Sequence, residues 1–344
     1  MGAVVALISL LVGLLSGLTA GLGRDNVSAV SDLPADRIAF AAPAHGQDLS
    51  YADSTVTEVQ WRRWAATPGV TSAEPLGITT TRAAAGDGGV AVTAFGVRAG
   101  SPLAPDGGRI DARSAVLSVP AADDLHVRAG DPVTLGGRTL TVAAVAGHAS
   151  YSHTPVIWVS LDTWRAAAPP TGVAGPTATV IALSTTSTVD VSAGDAAAGT
   201  TTVRTGDSLA AIGSYAAENG SLQLMRGFLF AIAALVIGAF FSVWTIQRSG
   251  DVAVLKALGA ATANLLRDAL GQAAVLLTGG TLVGAAAAAG LGALVAGSAV
   301  PFRLTPATVA VPAAVIIVLG VLGAALSIRR ITSVDPLTAL GSAR

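Results

Sequence analysis

Four long apolar runs, interrupted once by about 200 residues of polar character, constrain this chain more than any other feature. Residues 1–22, 222–247, 268–298 and 306–328 are each long enough to cross a bilayer core, which takes roughly 20 apolar residues. The first run stops at Arg24-Asp25, the second at Gln247-Arg248 and the fourth at Arg329-Arg330. Pro312 sits near the start of the fourth, where a missing backbone donor does least harm. Only 12% of the 344 residues are charged, against about a quarter in an ordinary soluble domain. The sequence therefore predicts a membrane protein with four transmembrane α-helices.

Residues 23–221, between the first and second spans, hold nearly all the acidic groups and all 4 histidines. This stretch has the size of an ordinary folded domain. Short β-branched runs at 90–97, 115–119, 139–145 and 156–160 predict strands. Residues 131–140 predict a hairpin, with Gly136-Gly137 supplying the positive φ angles of its turn. Trp61 and Trp64, three apart, suit a helix over 56–66. The domain is expected to be mixed α/β, with 171–202, rich in small residues, loosely ordered. The chain has 0 cysteines, which excludes disulfides, thiolate metal sites and cysteine nucleophiles. Such a domain must hold together by packing alone.

Basic residues in short loops set the orientation. The segment 248–267 carries Arg248, Lys256 and Arg267, and the tail 329–344 carries Arg329, Arg330 and Arg344. The loop between the third and fourth spans carries only Arg303. The tail and the 248–267 segment are thus expected in the cytoplasm, the large domain outside and the amino terminus inside. Abundant Ala, Gly and Arg beside a single lysine suggests a GC-rich bacterial genome, hence the plasma membrane of a bacterial cell. A cleaved signal peptide is the rival for the first run, with small residues at Ser16, Gly17 and Ala20. The run lacks a basic region before it and exceeds the usual length of such a peptide.

Much of the chemistry is excluded. Lys256 is the only lysine and no glycine-rich loop precedes it, so a P-loop ATPase is ruled out. None of the spans has an ionisable residue near its middle, where ion-coupled carriers usually need one. His148 and His153 flank Tyr151, but no carboxylate pairs with them at a zinc-motif spacing; they read as a polar loop between two strands. Asp123-Asp124 reads as a solvated helix start. Ser16, Ser118 and Ser160 lack the context of a nucleophile elbow. A net charge of -1 gives no basic surface for nucleic acid. No enzyme, metal or cofactor is expected of this chain.

The positive signals lie in and beside the spans. Gly13, Gly17 and Gly21 share one helix face, and Gly280 with Gly284 another, so partner helices can approach closely there. Residues 250–260 suggest a short amphipathic helix between the second and third spans. Asp251 sits at its positive end and Lys256 towards its negative end. Gly259 can stop it in a left-handed conformation, and Thr262 can cap the helix that follows. Val252, Leu255 and Leu258 share its apolar face. Docking to another protein and lying in the headgroup layer both remain open for such a face.

These residues resemble the MacB/FtsX/LolC type of ABC transporter permease in three places. Asp251-Val-Ala-Val-Leu-Lys-Ala-Leu-Gly-Ala260, followed by Gln272, is similar to the family's coupling segment. Ser333-Val-Asp-Pro-Leu-Thr-Ala-Leu340 is similar to its closing motif, with Asp335 as helix cap and Pro336 at the first helical position. Residues 125–135 with 139–145 resemble its extracytoplasmic core domain. The opening, from Leu14 to Asn26, looks most like the smaller HrtB and DevC permeases, a subgroup that includes heme and glycolipid exporters.

The resemblance implies a permease dimer, homodimeric or with a paralogue, in contact with membrane lipid. Each chain would bind a cytoplasmic ABC ATPase, which alone binds ATP, through Asp251, Val252, Leu255, Lys256, Leu258 and Gly259. Hydrolysis would move the second span and the outside domain, the mode called mechanotransmission, to export a hydrophobic or amphipathic compound such as heme, a lipid or a drug. One alternative is a regulator that activates a cell-wall hydrolase and transports nothing; another is an anchored sensor without ATP. The family usually begins with a basic amphipathic helix, whereas this sequence opens at Met1-Gly2-Ala3. Either the true start lies upstream or the element is lost, which leaves full coupling open.

Overall fold

The computed structural model describes residues 2–86, 88–170, 172–248, 250, 254–255, 258, 261–295 and 300–332. The chain divides into two compact units: 1–22 with 220–344, and 23–219.

The helical unit is built from α1 (Gly2–Ser31), α7 (Gly213–Gln247), α8 (Thr262–Val295) and α9 (Pro306–Thr332). All four are long and apolar enough to cross a membrane. The start of α9 is doubly capped: Thr308 N–H donates to Thr305 Oγ1 at 3.1 Å, and Thr305 N–H to Thr308 Oγ1 at 2.8 Å. Pro306 follows that cap, where its missing N–H has no intrahelical acceptor to serve. Among the described residues, the interior is a narrow seam: Val5, Val12, Ile237, Phe241, Ala273, Leu277, Ile316 and Ala324. Leu7, Leu224, Phe228, Leu235, Val275 and Leu322 stay exposed outside it. Apolar surface left outside a seam this thin is the surface lipid covers.

The other unit is α/β. Its strands are β1 (Arg37–Ala41), β2 (Val56–Thr57), β3 (Val70–Ala85), β4 (Gly88–Val97), β5 (Ser114–Leu117), β6 (Pro132–Leu135), β7 (Arg138–Val145), β8 (Ser150–Tyr151), β9 (Thr154–Ser160), β10 (Thr177–Ala178), β11 (Val180–Thr185) and β12 (Thr200–Arg204). The short helices are α2 (Glu58–Ala65), α3 (Val119–Leu125), α4 (Leu161–Ala167), α5 (Val191–Ala198) and α6 (Thr205–Ser208). The main sheet runs β12-β1-β11-β3-β4-β9-β5-β7-β6. It closes on itself where Ala83 and Ala84 of β3 pair with Leu135 and Thr134 of β6.

Neighbouring side chains along the central strands face opposite sides, as the period of a strand requires. Val92, Ala94, Ile157 and Val159 join one buried cluster, with Trp61, Trp64, Leu125 and Trp164 from the helices α2–α4. Phe95, Val97, Val156 and Trp158 join a second, with Val27 and Val30 of α1, Tyr51 and Ile212. Both faces are covered, so the unit has a substantial core without disulfides. Gly77 and Gly96 are cross-strand partners, and together they leave the slot that the Trp164 indole fills. Among the described residues, the buried Trp164 Nε1 makes no hydrogen bond.

Four expectations change. The helix expected over 56–66 starts only at Glu58, because Val56 and Thr57 pair with Ala178 and Thr177 as β2 with β10. Residues 171–202 hold β10, β11, α5 and the start of β12, with Val180, Ile181 and Leu183 fully buried. Small residues there are packed rather than loose: Gly194 lies beneath the Trp64 ring, and Asp190 caps α5 by accepting from Ala193 N–H at 3.0 Å. Strand β5 ends at Leu117, because Ser118 Oγ accepts from Ala121 N–H and starts α3 at Val119. Asp123 and Asp124 therefore fall in the last turns of α3, not at its start.

Candidate functional site

The loop between α7 and α8 is the first candidate. Asp251, Val252, Lys256 and Gly259 lie outside the described residues. Leu255 and Leu258 are described, with Val254 beside them, and they are 45%, 79% and 62% exposed. Leu258 N–H donates to the Val254 carbonyl at 3.0 Å, the spacing of one helical turn. The ends of this loop are tied together. Arg248 stacks 4.7 Å over the Trp244 ring and donates to Gln272 Oε1 at 2.6 Å. Gln272 Nε2 in turn donates to Asp268 Oδ2 at 3.0 Å. Sequence alone points to Gln272 but misses Trp244 and Asp268 as its associates; an Arg four residues after a Trp was the available signal.

The glycines lie at close contacts. A Cβ on Gly13 would sit 2.8 Å from Ala288 Cβ of α8, and one on Gly280 would sit 2.9 Å from Val5 Cβ of α1. A Cβ on Gly284 would strike the Ala6 carbonyl of α1. The upper glycines of α1 receive a loop instead of a helix. Phe302 seats its ring against Gly17 and Gly292, the Pro301 carbonyl lies against Gly21, and Arg303 N–H donates to the Gly17 carbonyl at 3.0 Å. Ser9 Oγ donates to Thr281 Oγ1 at 3.4 Å within the buried seam. Small residues thus bring backbones together along α1 as far as Gly21, the kind of packing that helices use in lipid.

The histidines do not converge. Tyr151 is buried between Tyr51 and Phe95, at ring distances of 6.1 and 6.0 Å, and that burial raises its phenol pKa. His148 is exposed, and His153 turns to Glu218, 2.9 Å away. Among the described residues, no three His, Cys, Asp or Glu side chains meet at a metal-sized point. A cavity of about 520 Å³ lies between α2 and α4, lined by Trp61, Arg62, Arg98, Asp111, Asp162 and Arg165 among others. Its charges largely answer each other: Arg165 lies 2.6 Å from Asp162, and Arg62 is 2.6 Å from Glu58.

Four bilayer-length helices with a folded α/β unit after the first define a multi-pass membrane protein with a large extracellular domain. The MacB-like periplasmic core domain family matches residues 1–203, and the FtsX-like permease C-terminal family matches residues 224–336. The chain belongs to this FtsX-like, MacB-like family of ABC transporter permeases. It is 32% identical over 146 residues to a putative hemin transport system permease protein HrtB of Staphylococcus epidermidis. That match covers 42% of this chain and only 41% of the relative's length. An uncharacterized ABC transporter permease of Mycobacterium bovis is 25% identical over 95% of this chain and 90% of its own. The periplasmic region of MacB from Actinobacillus actinomycetemcomitans superposes with a TM-score of 0.36 and 10% identity, over 52% of this chain and 92% of that one.

Proposed function

We propose that this chain is the export permease of a transporter whose ATPase is a separate cytoplasmic subunit, working by mechanotransmission. The observation that carries this reading is the uncovered apolar turn of Val254, Leu255 and Leu258 between α7 and α8. In a family of ABC permeases, an exposed apolar turn whose ends are tied by Arg248 to Gln272 suits a docking knob for the ATPase. Apolar area removed from water there contributes roughly 25 cal/mol per Å². The basic residues flanking this loop support its cytoplasmic side and that of the tail. The spans lack an ionisable group at mid-depth, which favours an external source of energy over ion coupling.

The cargo we propose is an amphipathic compound, because HrtB relatives carry hemin transport in their name. Two permease chains, identical or paralogous, would flank it with lipid, and ATP would be bound by the partner subunit alone. Co-purification of the full chain with candidate ATPases from its own genome tests the reading. The natural chain is expected to retain one of them, and Leu255→Arg, which sets a charge on the docking turn, to lose it. No retention by either chain would sink the proposal.

A further inference from the structure

Two hairpins of the α/β unit have turns of similar backbone and opposite chemistry. Gly136-Gly137 joins β6 to β7 at φ of 54° and 78°, with the residues such turns favour. Ser152-His153 joins β8 to β9 at φ of 50° and 62°. There a serine and a histidine are both strained, since their Cβ atoms crowd the backbone. Strain of this kind persists where the surroundings over-determine it.

The surroundings are α1 and the first turns of α7. Ser152 N–H donates to the Asn26 carbonyl at 2.9 Å, and His153 N–H to the Asp25 carbonyl at 3.2 Å. Ser152 Oγ donates to Ser214 Oγ at 2.9 Å, which donates to Asn26 Oδ1 at 2.6 Å. Asn26 Nδ2 donates to Glu218 Oε2 at 3.2 Å. His153 Nε2 lies 2.9 and 3.1 Å from the two Glu218 oxygens. Asn26 Nδ2, also 3.2 Å from that nitrogen, can only donate. Both Glu218 oxygens accept only, so the consistent assignment puts a hydrogen on Nε2, donated to Glu218, while Asn26 directs its own hydrogen to Glu218 Oε2. A Gly-Gly turn would relax the backbone and delete both side-chain ties.

We propose that Ser152-His153 is a releasable latch, tying Asp25 and Asn26 of α1 to Ser214 and Glu218 of α7. Its contacts are polar throughout, and the His153 and Glu218 side chains are 35% and 45% exposed. Water can take over the His153–Glu218 bonds as they part, so breaking that pair forfeits little, while Asn26, 1% exposed, keeps the closed state ordered. The strained backbone pushes the same way. The helices it joins are also the first and second spans, and only the purpose of opening rests on the permease reading.

Amide hydrogen exchange on the full chain in lipid nanodiscs tests the latch with no ATPase present. Amides of Ser152 and His153 are expected to exchange well before Phe95 and Trp158 in the sheet, through local opening. Glu218→Ala is expected to speed the two turn amides about tenfold and Glu218→Gln about threefold, leaving the sheet amides unchanged. The double variant Ser152→Gly, His153→Gly separates a latch from an ordinary turn. Glycine would slow exchange if the turn served only to reverse the chain, and the latch predicts faster exchange. Turn amides that open only with the sheet, indifference to both Glu218 variants, or slower exchange with glycine would each overturn the proposal. An outcome for the ATPase pull-down in either direction leaves these readings intact.

Discussion

In the helical unit, Gly13, Gly280 and Gly284 sit where helices touch; in the α/β unit, Gly136 sits where the backbone reverses and Gly77 where an indole needs a floor. The contrast is physical. Helices in lipid gain nothing from hiding apolar area, so they gain by approaching closely, and a missing Cβ lets them. Strands in water are held by burial on both faces, so glycine is spared for the places where φ must be positive. Gly284 and Gly136 represent the two uses, and they are expected to fail differently when a side chain is added.

The largest effect is expected at Gly284. Valine there drives into the backbone of α1 at Ala6, which cannot move aside as a side chain could. A loss of about 3 kcal/mol is expected, seen as a lower thermal midpoint and poor monodispersity of the detergent-purified chain. Gly279→Val, five residues earlier on the same helix, meets nothing within 4 Å and is expected to stay within about 0.5 kcal/mol. Equal losses at both sites would break the comparison by showing that α1 and α8 do not meet along this seam.

Next come the turn glycines. Gly136→Ala combines a left-handed φ of 54° with a contact 2.6 Å from Ala167 Cβ, and Gly137→Ala has only the φ of 78°. Losses of about 2 and about 1 kcal/mol are expected, measured by urea unfolding of the full chain. The reverse order would assign the first effect to crowding that the loop can relieve. A smaller loss, about 1 kcal/mol, is expected for Ser118→Ala, which removes the cap of α3 and tests whether the α/β unit relies on side-chain caps where it lacks glycine.

The smallest effect concerns a turn built without glycine. Asp111 Oδ1 accepts from Arg113 N–H at 2.7 Å and from Ser114 Oγ at 2.8 Å. The backbone N–H of Arg113 and then the Ser114 hydroxyl hold its carboxyl below the usual range. A carboxyl lowered by folding stabilises the fold at pH above its unfolded value, and that gain is lost as pH falls through its folded one. Asp111→Asn is expected to flatten the pH dependence of the urea midpoint below about pH 4. A slope identical to that of the natural chain would remove Asp111 from the account.

The spans are legible because charge is costly in lipid at every position, so a long uncharged run such as 306–328 is hard to place anywhere but in a bilayer. The strands β4, β7 and β9 are legible from β-branched runs, and the β6–β7 turn from its two glycines. Strand β3 is not. It carries Pro75 and Gly77, both poor strand residues, and its reason for them lies elsewhere: Gly77 makes room for Trp164, far along the chain. The β8–β9 turn reads as no more than a polar loop, because nothing local in Ser152-His153 announces Asn26 or Glu218. Among the candidate site residues, glycine spacing is visible on one helix face, yet its division between α8 and the Phe302 loop is not. A face shows that something approaches and is silent about what.

The strand order has a consequence for how the extracellular domain is made. β1 lies between β11 and β12, so the first strand to cross the membrane has no sheet neighbour until residues 180–204 have followed it. The hairpins β3–β4 and β6–β7 pair with near neighbours in sequence and can form at once. The carboxyl-proximal part of the domain therefore completes the amino-proximal part, and a chain stalled before β11 leaves Arg37–Ala41 as a bare edge. Such an edge invites pairing with another chain, and in a crowded envelope the last strands delivered decide whether the first is ever sheltered.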